Sequence, residues 1–229
     1  MIRKALFGVC IILFLFGYDN LFAVTSKGSV VPRIEASIKT GQSYQISFKD
    51  LEDQMTALTR SAEVEDSWIY VVEDETLYDV GIENQAHSVG TDLSKLESGE
   101  IKIRGKHVVD IHIHAWKEHN ARDFLPTSTP DLHMKAGHAD PVYKKFGAVG
   151  VRTLVYDGHG VWETTLSARL EKALASCSEG EEKKAIVRKI NSFRENLRGN
   201  PKEEREHVVA RYVADCESVG LEMTYKSLE

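Results

Sequence analysis

The segment KHVVDIHIHAWKEHNARDFLPTSTPDLHMKAGH, residues 106–138, decides the fold of this chain. Four of its first eight residues are β-branched and predict a strand, namely Val108, Val109, Ile111 and Ile113. Side chains two positions apart on a strand point to the same face, so His112 and His114 are predicted to emerge together. Two imidazoles at that spacing can hold one metal ion in common. Most of the histidines of the chain lie in this segment, namely His107, His112, His114, His119, His133 and His138.

A third metal ligand is predicted in the polar loop that follows this strand. The sequence PTSTPD, residues 126–131, is typical of a loop that ends at a helix start, and it supplies the carboxylate of Asp131. Two neutral imidazoles and one carboxylate are typical of a catalytic zinc site that keeps its fourth position open. The alternative is that His112 and His114 merely line a polar face of the sheet. His119, His133 and His138 remain as further or different ligands.

Hydrolysis at such a site needs a carboxylate that moves a proton without binding the metal itself. Glu63 and Glu65, just before the strand that contains Trp68, are the candidates. Ser128 or Thr127 could donate a hydrogen bond to a developing oxyanion.

The order of these motifs resembles the JAMM (JAB1/MPN/Mov34) metalloproteases, and is nearest to their bacterial RadC-like branch. That family has an upstream glutamate, then H-x-H-P, then S-x-x-D. The resemblance covers roughly residues 50–164, with Ala115 where the family has proline and a longer loop before Ser128. It implies a zinc ion held by His112, His114 and Asp131. It also implies Ser128 as the oxyanion helper and Glu65 as the acid/base, with Glu63 as the alternate.

The resemblance implies an α+β fold, close to a three-layer α/β arrangement. A cytidine-deaminase-like JAB1/MPN sheet would be flanked by helices and followed by a C-terminal helical appendage. The predicted division is a signal peptide at 1–23, a JAB/MPN-like metal-binding domain at 24–165, and C-terminal helices with a closing strand at 166–229.

The N-terminus has the pattern of a secretory signal: Arg3 and Lys4 precede an apolar run, and Ala23 precedes a plausible cleavage point. An uncleaved membrane anchor is the alternative. The mature chain is therefore expected to be exported, periplasmic or secreted, and free of the membrane after cleavage. The net charge of −6 becomes one unit more negative when Arg3, Lys4 and Asp19 are removed. This acidic balance argues against nucleic acid as a partner.

Two cysteines remain after signal removal, Cys177 and Cys216. In an exported chain they predict one disulfide that ties the first C-terminal helix to the third. A nucleophilic Cys–His pair is the alternative.

Hydrophobic periodicity predicts the remaining elements. His159 is expected to be a solvated residue of the turn at 157–160. Helices are predicted at 48–61, 92–97 and 132–138 and on three apolar stripes after residue 165. Strands are predicted at 67–72, 76–82, 100–104, 148–156, 160–164 and 221–225.

Two function hypotheses follow. The first is an exported zinc hydrolase that cuts peptide or isopeptide bonds in a peptide or protein substrate. The second is a catalytically inactive JAMM-like binding or scaffold module. The string D-x-H-x-H, from Asp110 to His114, is also found in amidohydrolase and PHP-type sites, but too few residues follow it here for their large barrel.

Overall fold

The computed structural model describes residues 43–85, 88–114, 126, 128, 131–132, 135–176, 180–197 and 205–228. Several predictions lie outside the described residues. These are the signal peptide at 1–23 and the roles of Thr127, His119, His133 and Cys177, together with the side chain of His138.

Nine strands are found in the described part of the chain. They are β1 Tyr44–Gln45, β2 Asp66–Val71, β3 Thr76–Asp79, β4 Gly81–Gln85, β5 Ser88–Thr91, β6 His107–Ile113, β7 Gly150–Tyr156, β8 Gly160–Leu166 and β9 Leu221–Ser227. Seven of them form one sheet in the order β1-β3-β2-β6-β7-β8-β9, while β4 and β5 form a separate hairpin. Within the large sheet β6 and β7 are parallel and the other neighbours are antiparallel. The sheet is therefore mixed, and its only parallel pair contains the histidine strand.

Helices cover both faces of this sheet. They are α1 Phe48–Ser61, α2 Ser94–Glu97, α3 Asp140–Lys145, α4 Ala168–Ala175, α5 Glu181–Leu197 and α6 Arg205–Glu217, and a π-helical turn at Lys135–Ala139 leads directly into α3. Helix α1 buries Leu51, Met55 and Leu58 against the face that carries Val109 and Ile111. The other helices pack on the opposite face, in two clusters. The predicted α+β class, a mixed sheet flanked by helices, is confirmed.

The C-terminal helices share their core with the sheet. Leu170, Ile190 and Tyr212 belong to the same apolar cluster as Val155 and Trp162. Strand β9 pairs with β8 along its whole length, and the predicted boundary at residue 165 falls inside β8. The C-terminal third therefore extends the sheet as well as covering it.

Two element predictions are wrong. No strand forms at 100–104, although Ile101 and Ile103 are buried, because the backbone there makes local bonds instead: Ile101 N donates to Lys95 O, and Lys106 N donates to Ile103 O, each at 3.0 Å. The predicted strand at 76–82 divides at Val80, whose N–H donates to Ser67 O at 3.2 Å, and the chain leaves the large sheet to form the β4–β5 hairpin.

Cys216 is buried in α6 and has no disulfide partner among the described residues, and burial raises the pKa of its thiol to about 12. Its predicted partner Cys177 is not among the described residues, so the disulfide stays a prediction. Within the described ranges, no helix combines the length and the apolar character that a membrane crossing requires.

Candidate metal centre

Strand register brings three predicted site residues to one end of the sheet. Val109, Ile111 and Ile113 face the α1 core, so the alternating residues of β6 face the opposite side. Asp66, the first residue of β2, pairs with Ile113, and Glu65 precedes it directly. His114 follows β6, and its N–H donates to Tyr156 O at 2.9 Å.

Glu65, His112 and His114 form a compact set of metal-binding atoms. Each offers one ligand atom, and these atoms all lie within 4.8 Å of one another. Glu65 Oε2 lies 3.3 Å from His112 Nε2. The two imidazole rings meet edge to face, with their centroids 4.9 Å apart. Glu65 and His114 are buried, at 6% and 4% exposure, so this set is largely shielded from water.

Asp131 approaches the same site from the other side. Its Oδ2 lies 3.7 Å from His114 Nε2, and its side chain is 28% exposed. It is not a member of the three-residue set, so its carboxylate does not lie within 4.8 Å of all three of those donor atoms.

The S-x-x-D motif folds as a helix cap. Ser128 N donates to Asp131 Oδ2 at 2.7 Å, and Asp131 N donates to Ser128 Oγ at 3.2 Å. Leu132 N donates to Ser128 O at 3.0 Å. This reciprocal arrangement is a capping box, with aspartate in the place of glutamate. The cap fixes the Asp131 side chain and leaves its carboxylate beside His114.

These distances fit a shared metal ion. Zinc–ligand bonds of about 2.0–2.1 Å in tetrahedral geometry space the donor atoms by roughly 3.3–3.4 Å. The Glu65–His112 and His114–Asp131 pairs, at 3.3 and 3.7 Å, are close to that spacing. In addition, His112 Nε2 is buried, and among the described residues its close polar contact is the Glu65 carboxylate oxygen at 3.3 Å. A ring nitrogen in that position suits a metal ligand.

The surrounding carboxylates favour positive charge at this site. Burial alone would lower the pKa of His112, but Glu65, Asp131 and Asp110 raise it above its usual value. Burial alone would raise the pKa of Asp131, yet its contacts with His114, His112 and Ser128 hold that pKa well below the usual range. A cation therefore meets a preformed negative potential.

The structure distinguishes the two predicted glutamates by position. Glu65 is buried in the donor set, whereas Glu63 is exposed and outside it. The register of β2 against β6 is responsible, because it places the residue before Asp66 next to the end of β6.

A buried charged network, which sequence reasoning missed, lies directly behind His112. Lys135 Nζ donates to Asp140 Oδ1 at 2.9 Å and to Thr153 Oγ1 at 2.5 Å. Asp110, on the histidine face of β6, pairs in register with Thr153. Burial, with a contribution from Asp140, raises the pKa of Asp110 to about 6, although Lys135 counteracts the shift. The string D-x-H-x-H indicates that Asp110 belongs to the site, but no local sequence pattern indicates that Lys135 does.

The turn between β7 and β8 is also more buried than predicted. His159 is only 3% exposed, so the prediction of a solvated residue is wrong. The side chain of Asp157 accepts hydrogen bonds from His159 N, Gly160 N and Trp162 Nε1 at 3.0, 2.9 and 2.8 Å. These bonds hold the turn in a buried position beside the end of β6.

No protein-family model, curated protein or solved structure matches this chain.

Proposed function

We propose that this protein is an exported, zinc-dependent hydrolase of peptide or isopeptide bonds, with a JAMM-like site on a cytidine-deaminase-like JAB1/MPN sheet. The observation that carries the proposal is the convergence of the Glu65, His112 and His114 donor atoms within 4.8 Å. Asp131 beside His114 supports it further. Two histidines with carboxylates and no cysteine are typical of catalytic rather than structural zinc.

In this proposal His112, His114 and Asp131 hold the ion. Bound zinc supplies Lewis acidity that activates water and polarises a carbonyl. Glu65 accepts the proton of the attacking water and delivers it to the leaving amine, as its position 3.3 Å from a ligand nitrogen allows. Its burial keeps the carboxylate from full hydration. The Ser128 hydroxyl, at the N-terminus of the Asp131 turn, steadies the developing oxyanion.

The partner in this proposal is a peptide or protein substrate, met in the periplasm or outside the cell. The net charge of −6 argues against nucleic acid as a partner, and in this proposal the signal sequence is removed before the protein acts.

One observation favours a second candidate, a zinc-holding binding or scaffold module without catalysis. Glu65 lies within the set of possible ligands rather than behind it. If Glu65 binds the ion together with His112, His114 and Asp131, four protein ligands close the site, as in structural zinc centres. Glu65 is then a ligand and no longer serves as the group that moves the proton.

The Glu65→Gln variant separates these candidates. The hydrolase proposal expects zinc-loaded wild-type protein to cleave an isopeptide-linked or α-peptide fluorogenic substrate. It expects Glu65→Gln to retain zinc while losing at least about 100-fold in kcat. Loss of zinc from Glu65→Gln, together with an inactive wild type, would support the closed site instead. The matched control is Glu63→Gln, an exposed neighbour that should change neither property.

A further inference from the structure

Lys135 occupies an unusual position for a lysine. Only 5% of it is exposed, and its ammonium group lies between the segment that follows Asp131 and strand β7. Buried lysines occur almost only where they are paired. Here one partner, Asp140, belongs to the same segment as Lys135, and the other, Thr153, belongs to the sheet.

The backbone is shaped to make this pairing. Residues three or four apart are neighbours on an α-helix, whereas Lys135 and Asp140 are five apart. The π-helical turn Lys135–Ala139, with its longer i→i+5 repeat, brings them side by side. Such turns are rare and frequently occur at functional sites.

The sheet end of the link is adjacent to the candidate metal centre. Thr153 pairs with Asp110 in the parallel β6–β7 register, and the next pair on that face is Val155 with His112. At the other end, the segment begins at the cap that holds Asp131 near His114. Lys135 therefore connects β7, the parallel neighbour of the histidine strand β6, to the segment that supplies the third ligand.

We propose that Lys135 is a positioning residue that holds Asp131 at the metal site by tying its segment to Thr153. This inference rests on the proposed zinc-binding function. Apolar contacts also hold the segment, through Leu132 and Ala136 on one side and Tyr143 on the other. They press it against the sheet, whereas the directional bond of Lys135 determines where along β7 it sits.

The test is the zinc affinity of the full chain, measured by competition with a chromophoric chelator. Lys135→Met should weaken zinc binding by about 10-fold, the lower end of the loss seen when a group bonded directly to a metal ligand is removed, because Lys135 acts on Asp131 only through its segment. Thr153→Val removes only the hydrogen-bond acceptor on the sheet and should also weaken zinc binding. The matched control is Lys144→Met, because Lys144 is an exposed lysine of α3 that pairs with Glu171 at 2.7 Å. The zinc affinity of this variant should equal that of wild type.

A double-mutant cycle separates positioning from general destabilisation. If Lys135 acts through Asp131, Lys135→Met should have little further effect on zinc affinity in an Asp131→Asn background. An undiminished effect in that background would overturn the proposal, as would wild-type affinity in folded Lys135→Met and Thr153→Val proteins.

Lys135→Met leaves Asp140 without its cation and could prevent folding. The double variant Lys135→Met/Asp140→Asn removes both charges, and Thr153→Val leaves the ion pair intact. Zinc affinity can therefore be measured in variants that leave no unpaired buried charge. Absence of zinc binding in the wild type would overturn the proposed function as well. Wild-type binding with unaffected variants would overturn only the role of Lys135.

Discussion

Asp110→Asn should make the metal-free protein more stable at neutral and alkaline pH. The Asp110 carboxylate lies two residues before His112 on the same strand. Burial and the nearby Asp140 disfavour its ionised form, and Lys135 offsets only part of that effect. Asparagine has nearly the same shape and carries no charge at any pH. The substitution therefore removes the cost of holding a carboxylate in this position.

The magnitude follows from the shift in pKa. The pKa of Asp110 rises from 3.8 to about 6 on folding, and each unit corresponds to about 1.4 kcal/mol. Because the pKa of Asp110 is higher in the folded than in the unfolded protein, protonation of Asp110 stabilises the fold. This stabilisation is fully present below the unfolded-state pKa of 3.8 and is lost as the pH rises through 6. At pH 8 wild-type protein should be less stable than Asp110→Asn by about 3 kcal/mol, and at pH 4 the difference should fall to about 0.5 kcal/mol.

Urea unfolding of both proteins in chelator, at four pH values between 4 and 8, measures this difference. The matched control is Asp53→Asn, an exposed position on α1 that should show no such trend. A constant difference across the pH range, or a variant less stable than wild type at pH 8, would refute the reasoning. Saturating zinc should reduce the gap, because a nearby cation favours the ionised carboxylate.

Three further substitutions test the surroundings of the site, each followed by chemical denaturation. Asp157→Asn should lower the free energy of unfolding by about 2–4 kcal/mol, because two backbone N–H groups and the Trp162 indole lose a charged acceptor. Gly160→Ala should cost about 1–3 kcal/mol, since its Cβ would lie 2.4 Å from the Tyr225 ring. Ser128→Ala should cost about 1 kcal/mol by removing the cap, whereas Ser128→Thr should be nearly neutral. An unfolding midpoint equal to that of wild type would contradict the prediction for each of the first three variants.

The parts of the site that local pattern could predict are those within one element. His112 and His114 lie on one face because strand side chains alternate, and the β-branched run around them identifies the strand. Ser128 and Asp131 contact each other because a capping box spans four consecutive residues.

The remaining features depend on contacts between distant parts of the chain. Glu65 is distinguished from Glu63 only by the pairing of β2 with β6, which no local pattern encodes. The alternation of Ile101 and Ile103 is real and buries both, but their backbone groups bond to nearby residues of the chain rather than to another strand. Lys135 has the sequence context of a surface helix residue, and only the π-helical turn directs it inward.

The decisive measurement is a calorimetric titration of metal-free full-length protein with Zn²⁺. Binding of about one ion per chain, lost in His112→Ala and in His114→Ala, is the predicted result. His107→Ala is the matched control, because His107 is an exposed histidine of the same strand that pairs with Glu73 and should bind zinc as wild type does. Absence of binding in the wild type, or binding that survives His112→Ala, would contradict a metal centre at Glu65, His112 and His114.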